Sequence, residues 1–447
     1  MREIISLQIG QCGNQVGEKF WDLVNEEHNI SPVGEFTGTP IEQQRLSVYY
    51  TESSTKRYVP RTTNVDLEPG TINALKVGKL GGLFRPDSFV CGKNGAGNNW
   101  GKGHYTDGLE LCERVMEFVR KEAEACDCLQ GFQITHSLGG GTGSGLGTLI
   151  QSKLREEYFD KVISTFSVMP SPTISETVVE PYNCMLSLHS LLESAGVSFC
   201  FDNEALNTIA KNITNKEKPS YENLNCIVAS VMSGITCSLR FPGQLNQDLR
   251  KLYVNMIPYT RLRFLTSSIA PVASALEMEY QSLSVSEIIP QLFERKNMMV
   301  DFNPQNGRYL TASCIMRGNV STHDVEENLF LLREKNTDVF CPWIPNNVQL
   351  AVCDVPPKKL KVSGTLISNS TGMVDLFDRI YKQFVAMFTR KAFVYLYTEE
   401  GMEESEFLEA GSDIADLIKE YKQYHSAEPQ IDQTIQDNTS IASQPSF

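Results

Sequence analysis

Between residues 139 and 145 the chain reads Gly139-Gly140-Gly141-Thr142-Gly143-Ser144-Gly145, set between a strand-like run, Phe132 to Thr135, and a helix-like run, Leu146 to Leu154. Glycines let backbone amides close on an anion, and a following helix aims its partial positive N-terminus at the same place, so the stretch has the layout of a phosphate-binding loop. Spacing excludes the two common versions. No Gly-Lys pair has a glycine five positions before its own glycine, as a Walker loop requires, and the dinucleotide pattern GxGxxG fails in every register across 139 to 147. Such a loop must hold phosphates without a lysine, through backbone amides, the hydroxyls of Ser137, Thr142 and Ser144, a helix dipole and a divalent cation.

Three further stretches offer complementary chemistry. Val65-Asp66-Leu67-Glu68-Pro69-Gly70 supplies carboxylates for a cation, with Asp66 and Glu68 projecting the same way if the segment is extended. Ala96-Gly97-Asn98-Asn99, preceded by Gly95, is a small-residue turn able to present amides. Gly10-Gln11-Cys12-Gly13-Asn14 reads as a glycine-bounded turn at the carboxyl end of a strand, where open α/β sheets bind ligands. Each alone is an ordinary loop; together they suggest a ring of loops at one sheet edge.

The elements that must position this ring alternate. Ile4 to Ile9, Val162 to Met169 and Val197 to Phe201 read as strands, while Val16, Phe20, Leu23 and Val24, then Leu109, Cys112, Val115, Met116 and Val119, then Cys184, Leu188, Leu191 and Leu192 form helical stripes. This alternation predicts an α/β sheet with helices on both faces. A further helix begins at Leu206, and a long central one carries Leu224 to Ile235 and stops near Arg240-Phe241-Pro242-Gly243. From about residue 259 to 393 the pattern is mixed and predicts an α+β domain, and two helices, Phe377 to Phe388 and Phe407 to Tyr421, close the fold.

With 447 residues the chain exceeds what one core usually supports, so two or three domains are expected. A formal charge of −14 argues against nucleic acid or an anionic membrane as the main partner. The 12 cysteines are scattered, with Cys126-Asp127-Cys128 lacking a second pair at zinc spacing, and they read as reduced thiols of a cytosolic protein. No stretch approaches the roughly 20 apolar residues of a membrane span. After Tyr424 the composition turns polar and predicts a disordered tail.

Gly10 to Gln15, Val65 to Gly70, the 139–145 loop, Val179-Glu180-Pro181-Tyr182-Asn183, Asp202 to Leu206 and Arg240 to Asn246 together resemble the tubulin family. The likeness runs from Met1 to about Tyr424, and within the family it is strongest to the β branch: Met1-Arg2-Glu3-Ile4 opens the chain, and Lys251 stands where the α branch has a carboxylate. The resemblance implies a Rossmann-like parallel-sheet GTPase domain over residues 1–205, an α+β intermediate domain over 206–380, a C-terminal helical hairpin over 381–425 and a disordered tail over 426–447. It also implies GTP or GDP with Mg²⁺ as ligands. Gln11 and Cys12 would lie along the nucleotide, and Glu68 would reach the metal through water. Ser137, Gly141, Thr142 and Gly143 would hold phosphates. Ala96, Gly97 and Asn98 would approach the γ-phosphate, Asn203 and Asn225 would read guanine, Tyr221 would stack on it, and Glu176 would take the ribose.

No catalytic residue is expected within this chain, because the resemblance implies that an α-tubulin carboxylate completes the site on longitudinal contact. In return Gly243, Gln244, Leu245, Asn246, Asp248 and Lys251 would face the α partner's nucleotide, and Tyr280 would make lateral contacts in a microtubule. The implied setting is the cytoplasmic cytoskeleton, as a heterodimer with α-tubulin. Some residues depart from the family. Glu277 and Glu279 make the lateral segment acidic, Cys226 replaces a common histidine of the taxane pocket, and the tail carries few acids, which implies weakened recruitment of motors and associated proteins. Two alternatives stay open: a γ-like nucleating tubulin, and a stand-alone nucleotide-dependent enzyme, although none of the six histidines forms a recognisable constellation.

Overall fold

A computed structural model describes residues 2–172, 177–243, 248–272, 283–358 and 360–427. Its frame is one ten-stranded sheet, with strands β1 (Glu3–Ile9), β2 (Thr62–Asp66), β3 (Phe89–Cys91), β4 (Leu129–Ser137), β5 (Val162–Met169), β6 (Val197–Asp202), β7 (Phe264–Ala270), β8 (Tyr309–Gly318), β9 (Val348–Cys353) and β10 (Val362–Ser370). The spatial order is β3-β2-β1-β4-β5-β6-β7-β10-β8-β9. The first seven of these are mutually parallel; β10 runs antiparallel to both β7 and β8, and β9 is parallel to β8. The six strands β3 to β6 have the order 3-2-1-4-5-6 of a doubly wound dinucleotide fold, whose ligand crevice opens where the order reverses, beyond the carboxyl ends of β1 and β4.

Period-two alternation in the strands sorts side chains to two faces. Ile5, Leu7 and Ile9 of β1, with Phe132 and Ile134 of β4, meet helices α3 (Asp107–Glu124) and α4 (Gly147–Glu157) through Val115, Val119, Ile150 and Leu154. Ile4 on β1, Phe166 and Val168 on β5 and Phe199 and Phe201 on β6 belong to the opposite face. There Val16, Phe20 and Val24 of α1 (Gly10–Glu27) pack with Leu224, Val228 and Val231 of α7 (Tyr221–Arg240). Helix α2 (Pro69–Val77) follows β2, α5 (Glu180–Ser194) precedes β6, and α6 (Asn203–Thr214) follows it; α8 (Leu249–Met256) leads into β7. Helices α9 (Val374–Phe388) and α10 (Glu404–Ser426) form the C-terminal hairpin and bury Phe377, Phe384, Phe407 and Tyr421 against α5.

The far ends of α1 and α7 meet in a buried ion cluster. The Glu27 carboxylate accepts from Arg240 at 2.7 Å and from Arg317 of β8 at 2.8 Å, and the Ser233 hydroxyl adds a third bond at 2.8 Å. Burial alone would raise the Glu27 pKa, but the two guanidinium charges outweigh it and bring it down to about 2. His28, next in sequence, is pushed down to about 3 by burial and by Arg240, and its ring stacks on Phe241 at 4.4 Å.

The expected alternation of strands and helices matches this architecture, with one local correction. Gly10 to Asn14 is the first turn of α1 rather than a separate turn. Gly10 takes φ +76°, and this single left-handed residue redirects the chain from strand straight into helix. The polar tail falls largely outside the described residues.

Candidate functional site

Beyond the carboxyl ends of β1, β4 and β5 lies a cavity of about 380 Å³, a size suited to a mononucleotide. Its floor comes from the start of α1, where Gln11, Cys12 and Gln15 occupy one face a turn apart. Helix α1 packs so closely on the glycine loop that a methyl on Gly10 would lie 2.8 Å from the Gly143 nitrogen. Burial pushes the Cys12 thiol up to about 12, so it is a neutral contact surface and not a nucleophile.

The glycine loop leaves β4 after Ser137, passes Gly139 and Gly140, and enters a π-helical turn, Thr142–Leu146, that runs directly into α4. Such turns recur at functional sites because they widen the helix and re-aim its amide groups. His136, buried on β4, sets the loop's height: one ring nitrogen lies 2.7 Å from the Gly143 carbonyl and the other 2.9 Å from the Ser167 hydroxyl. Burial depresses its pKa to about 4, so the ring is neutral, donating to the carbonyl and accepting from the serine. Ser144 departs from expectation. It is fully buried and its hydroxyl donates to the carbonyl oxygens of Gly140 and Gly141, which organises the loop and leaves Ser137 as the loop hydroxyl that lines the cavity.

Facing the loop is the 95–98 turn. Gly95, Gly97 and Asn98 all hold positive φ, 70°, 55° and 55°, which is why glycine and asparagine stand at those three positions. A methyl added to Gly140 would lie 3.6 Å from Ser137 Oγ and 3.9 Å from Asn98 Oδ1, so these groups converge on one point. Ala96 is buried against Gly141, and Gly97 and Asn98 are exposed at the rim.

The opposite end of the cavity is less polar. Tyr221, at the start of α7 and half exposed, stands with Leu224, Asn225 and Val228 of the same helix and Leu206 of α6. Asn203, the first residue of α6, is fixed by its neighbour: Asp202 caps the helix by accepting from the Glu204 amide at 3.2 Å and is held by Arg379 of α9 at 2.9 Å. Asn225 Nδ2 reaches Gln15 Oε1 at 3.4 Å.

Of the residues singled out from sequence, Gln11, Cys12, Asn98, Ser137, Asn203, Tyr221 and Asn225 line this one cavity, while Ala96, Gly97, Gly141, Thr142 and Gly143 are not in its lining and belong to the two loops that reach it through Asn98, Gly139 and Gly140. Glu68 lies outside the lining, at the start of α2, where its Cβ would sit 3.6 Å from a methyl placed on Gly95. Asp66 and Glu68 do not act as a pair. The Asp66 carboxylate is buried and accepts from the Thr71 hydroxyl and the Glu68 amide, which holds the turn into α2, because the strand ends at Asp66 and the chain turns there. Gly243 packs against the Val352 carbonyl, and Asp248 and Lys251 lie at and on α8, all beyond the far end of α7. Twenty residues of helix separate them from Tyr221, roughly 30 Å at 1.5 Å per residue. Glu176, Gln244, Leu245, Asn246 and Tyr280 lie outside the described residues.

Sequence reasoning missed Gln15, Thr177 and Glu180 as lining residues. The first had a signal, since it follows Gln11 by four on an amphipathic helix. Thr177 donates to Glu180 at 3.1 Å across the opening turn of α5, a pairing that has no sequence signature beyond the short spacing.

Among the described residues, no group of three or more His, Cys, Asp or Glu side chains could hold a metal by itself, and no helix is long and apolar enough to cross a membrane. The family model described as Tubulin/FtsZ family, GTPase domain matches residues 3–211, and that described as Tubulin C-terminal domain matches 260–382. The tubulin beta-1 chain of Mus musculus is 53% identical over 438 residues, covering 98% of this chain and 97% of that one. Identity along nearly the whole length, with family models that account for both halves of the sheet, shows that the chain belongs to the tubulin family and is a β-tubulin-like, GTP-binding and GTP-hydrolysing subunit of the cytoskeleton.

Proposed function

We propose that this chain pairs with α-tubulin, polymerises into microtubules of the cytoplasm, and has its GTP hydrolysed when the next α subunit supplies a carboxylate at the exposed side of the cavity. The observation that carries the reading is the convergence of the glycine loop, the 95–98 turn and the Asn203–Tyr221–Asn225 wall on a single cavity. Ser137, Gly141, Thr142 and Gly143 hold the phosphates, while Ala96, Gly97 and Asn98 meet the γ-phosphate. Asn203 and Asn225 read guanine, since an amide both donates and accepts and so matches that base edge. Tyr221 stacks on it. The Glu180 carboxylate repels phosphate and accepts from hydroxyls, which suits the sugar, a role the family resemblance assigns to Glu176.

Mg²⁺ would supply charge neutralisation at the phosphates; a single carboxylate beside the 95–98 turn, Glu68, fits a cation that keeps most of its waters. The functional division 1–205, 206–380 and 381–425 follows the same reading. Gly243 to Asp248 and Lys251 then face the α partner's nucleotide, and the low-acid tail recruits motors and associated proteins weakly. The test is coexpression with α-tubulin, followed by electron microscopy and phosphate release across a range of dimer concentrations. Turnover should appear only where filaments form; turnover proportional to dilute dimer would refute the intersubunit site.

A further inference from the structure

Asn183, in the first turns of α5, is fully buried and makes every hydrogen bond an amide side chain can make. Its Nδ2 donates to the carbonyls of Asn98 at 2.7 Å and Gly139 at 2.9 Å; its Oδ1 accepts from the Trp100 backbone N–H at 3.1 Å and from the Tyr397 hydroxyl at 2.7 Å. The flipped amide would set an NH₂ against the Trp100 N–H and an oxygen against two carbonyls, so the orientation is fixed. Asn183 lines no part of the cavity. It sits behind it, holding the end of the 95–98 turn and the beginning of the glycine loop in one grip.

The grip extends outward. Tyr397, buried in the short helix Tyr395–Thr398, packs edge-on against Tyr182 at 5.8 Å and Phe407 at 5.4 Å, and Asn99 Nδ2 donates to the Leu396 carbonyl at 2.8 Å. The turn carries little regular backbone pairing of its own: Gly95 N–H reaches Leu67 at 3.2 Å and Asn99 N–H reaches Ala96 at 3.0 Å. Its height over the glycine loop is therefore set by side chains from α5 and the C-terminal layer.

We propose that Asn183, braced by Tyr397, is a positioning residue that fixes the gap between the 95–98 turn and the glycine loop and thereby sets the preference for nucleoside triphosphate over diphosphate. This rests on the proposed role of the turn at the γ-phosphate. Asn183→Asp keeps size and both acceptances but turns the donor into an acceptor against two carbonyls. Tyr397→Phe removes one bond without opening a cavity.

The experiment is competition between GTP and GDP for the exchangeable site of the purified tubulin dimer, with circular dichroism and nucleotide stoichiometry as checks of folding. Asn183→Asp should lower the GTP-to-GDP affinity ratio about tenfold, or about 1.4 kcal/mol, and Tyr397→Phe about threefold. Asn98→Gly, which alters the turn itself, should also lower the ratio. If Asn98→Gly shifts the ratio while Tyr397→Phe leaves it unchanged, or lowers both affinities equally, the positioning role is overturned. An unchanged ratio in Asn98→Gly overturns the γ-phosphate reading instead. Should Asn183→Asp fail to fold, Tyr397→Phe decides the matter.

Discussion

Replacing Glu27 by glutamine tests whether the ion cluster at the far ends of α1 and α7 holds the two site helices together. The substitution keeps the shape but removes the carboxylate that bridges Arg240 and Arg317, whose side chains are 1% and 3% exposed. Apart from the new amide, the two buried guanidiniums then keep only neutral hydrogen-bond partners among the described residues: Ser233, Thr236, the His28 ring and carbonyl groups. Breaking a buried pair in this way costs about 3–5 kcal/mol, against a typical total stability of about 5–15 kcal/mol. The urea midpoint of the purified dimer should fall accordingly, and GTP retention should fall with it, because Gln11, Gln15, Tyr221 and Asn225 sit on the opposite ends of the same helices. A companion variant with Glu27→Leu, Arg240→Met and Arg317→Met removes all three charges and should recover most of the loss. A loss below about 1 kcal/mol for Glu27→Gln would refute the reasoning, since that is the scale of an exposed pair.

Other expectations are simpler to state. Gly10→Ala puts a methyl at a left-handed residue hard against Gly143, and nucleotide affinity measured by filtration should drop at least about tenfold. Lys251→Glu offers a carboxylate toward the α partner's site, and GTP bound there should begin to turn over; equal retention in mutant and wild-type dimers refutes the assignment. His136 and His28, held near 4 and 3 against an ordinary 6.5, are neutral when folded, so the unfolded chain binds more protons below 6.5. Their stability contribution is complete above that value and declines by about 1.4 kcal/mol per pH unit for each group as pH falls toward 4. Glu27 adds a later loss, below 4.5 and down to about 2. A denaturation midpoint flat between pH 7 and 5 contradicts this.

The sheet, its flanking helices and most of the cavity were legible because period-two and period-3.6 patterns carry them, and because glycine loops between such patterns mark the strand ends. What was not legible depends on partners distant in sequence. Asn183 is one of several polar residues in α5, and its meaning comes from Asn98, Trp100 and Tyr397, which are 85, 83 and 214 positions away. Ser144 looked like a phosphate hydroxyl because sequence shows its neighbours but not the π-helical turn that points it back into the loop. Asp66 looked like half of a carboxylate pair because the end of β2 could not be located to a single residue.

The junction between β6 and β7 is where the two family domains share their sheet, and the ladder there is thin: Ser198 pairs with Phe264 and Phe199 with Leu265, whereas β5 and β6 are registered from Ser164 to Met169. Past Phe199 the edge of β6 departs from β7, and the Asp202 amide bonds instead to the Met299 carbonyl. If the two halves slide against one another, this seam yields first. Asn203 follows Asp202 directly and lines the cavity, so any shift along this seam is carried straight to the cavity wall.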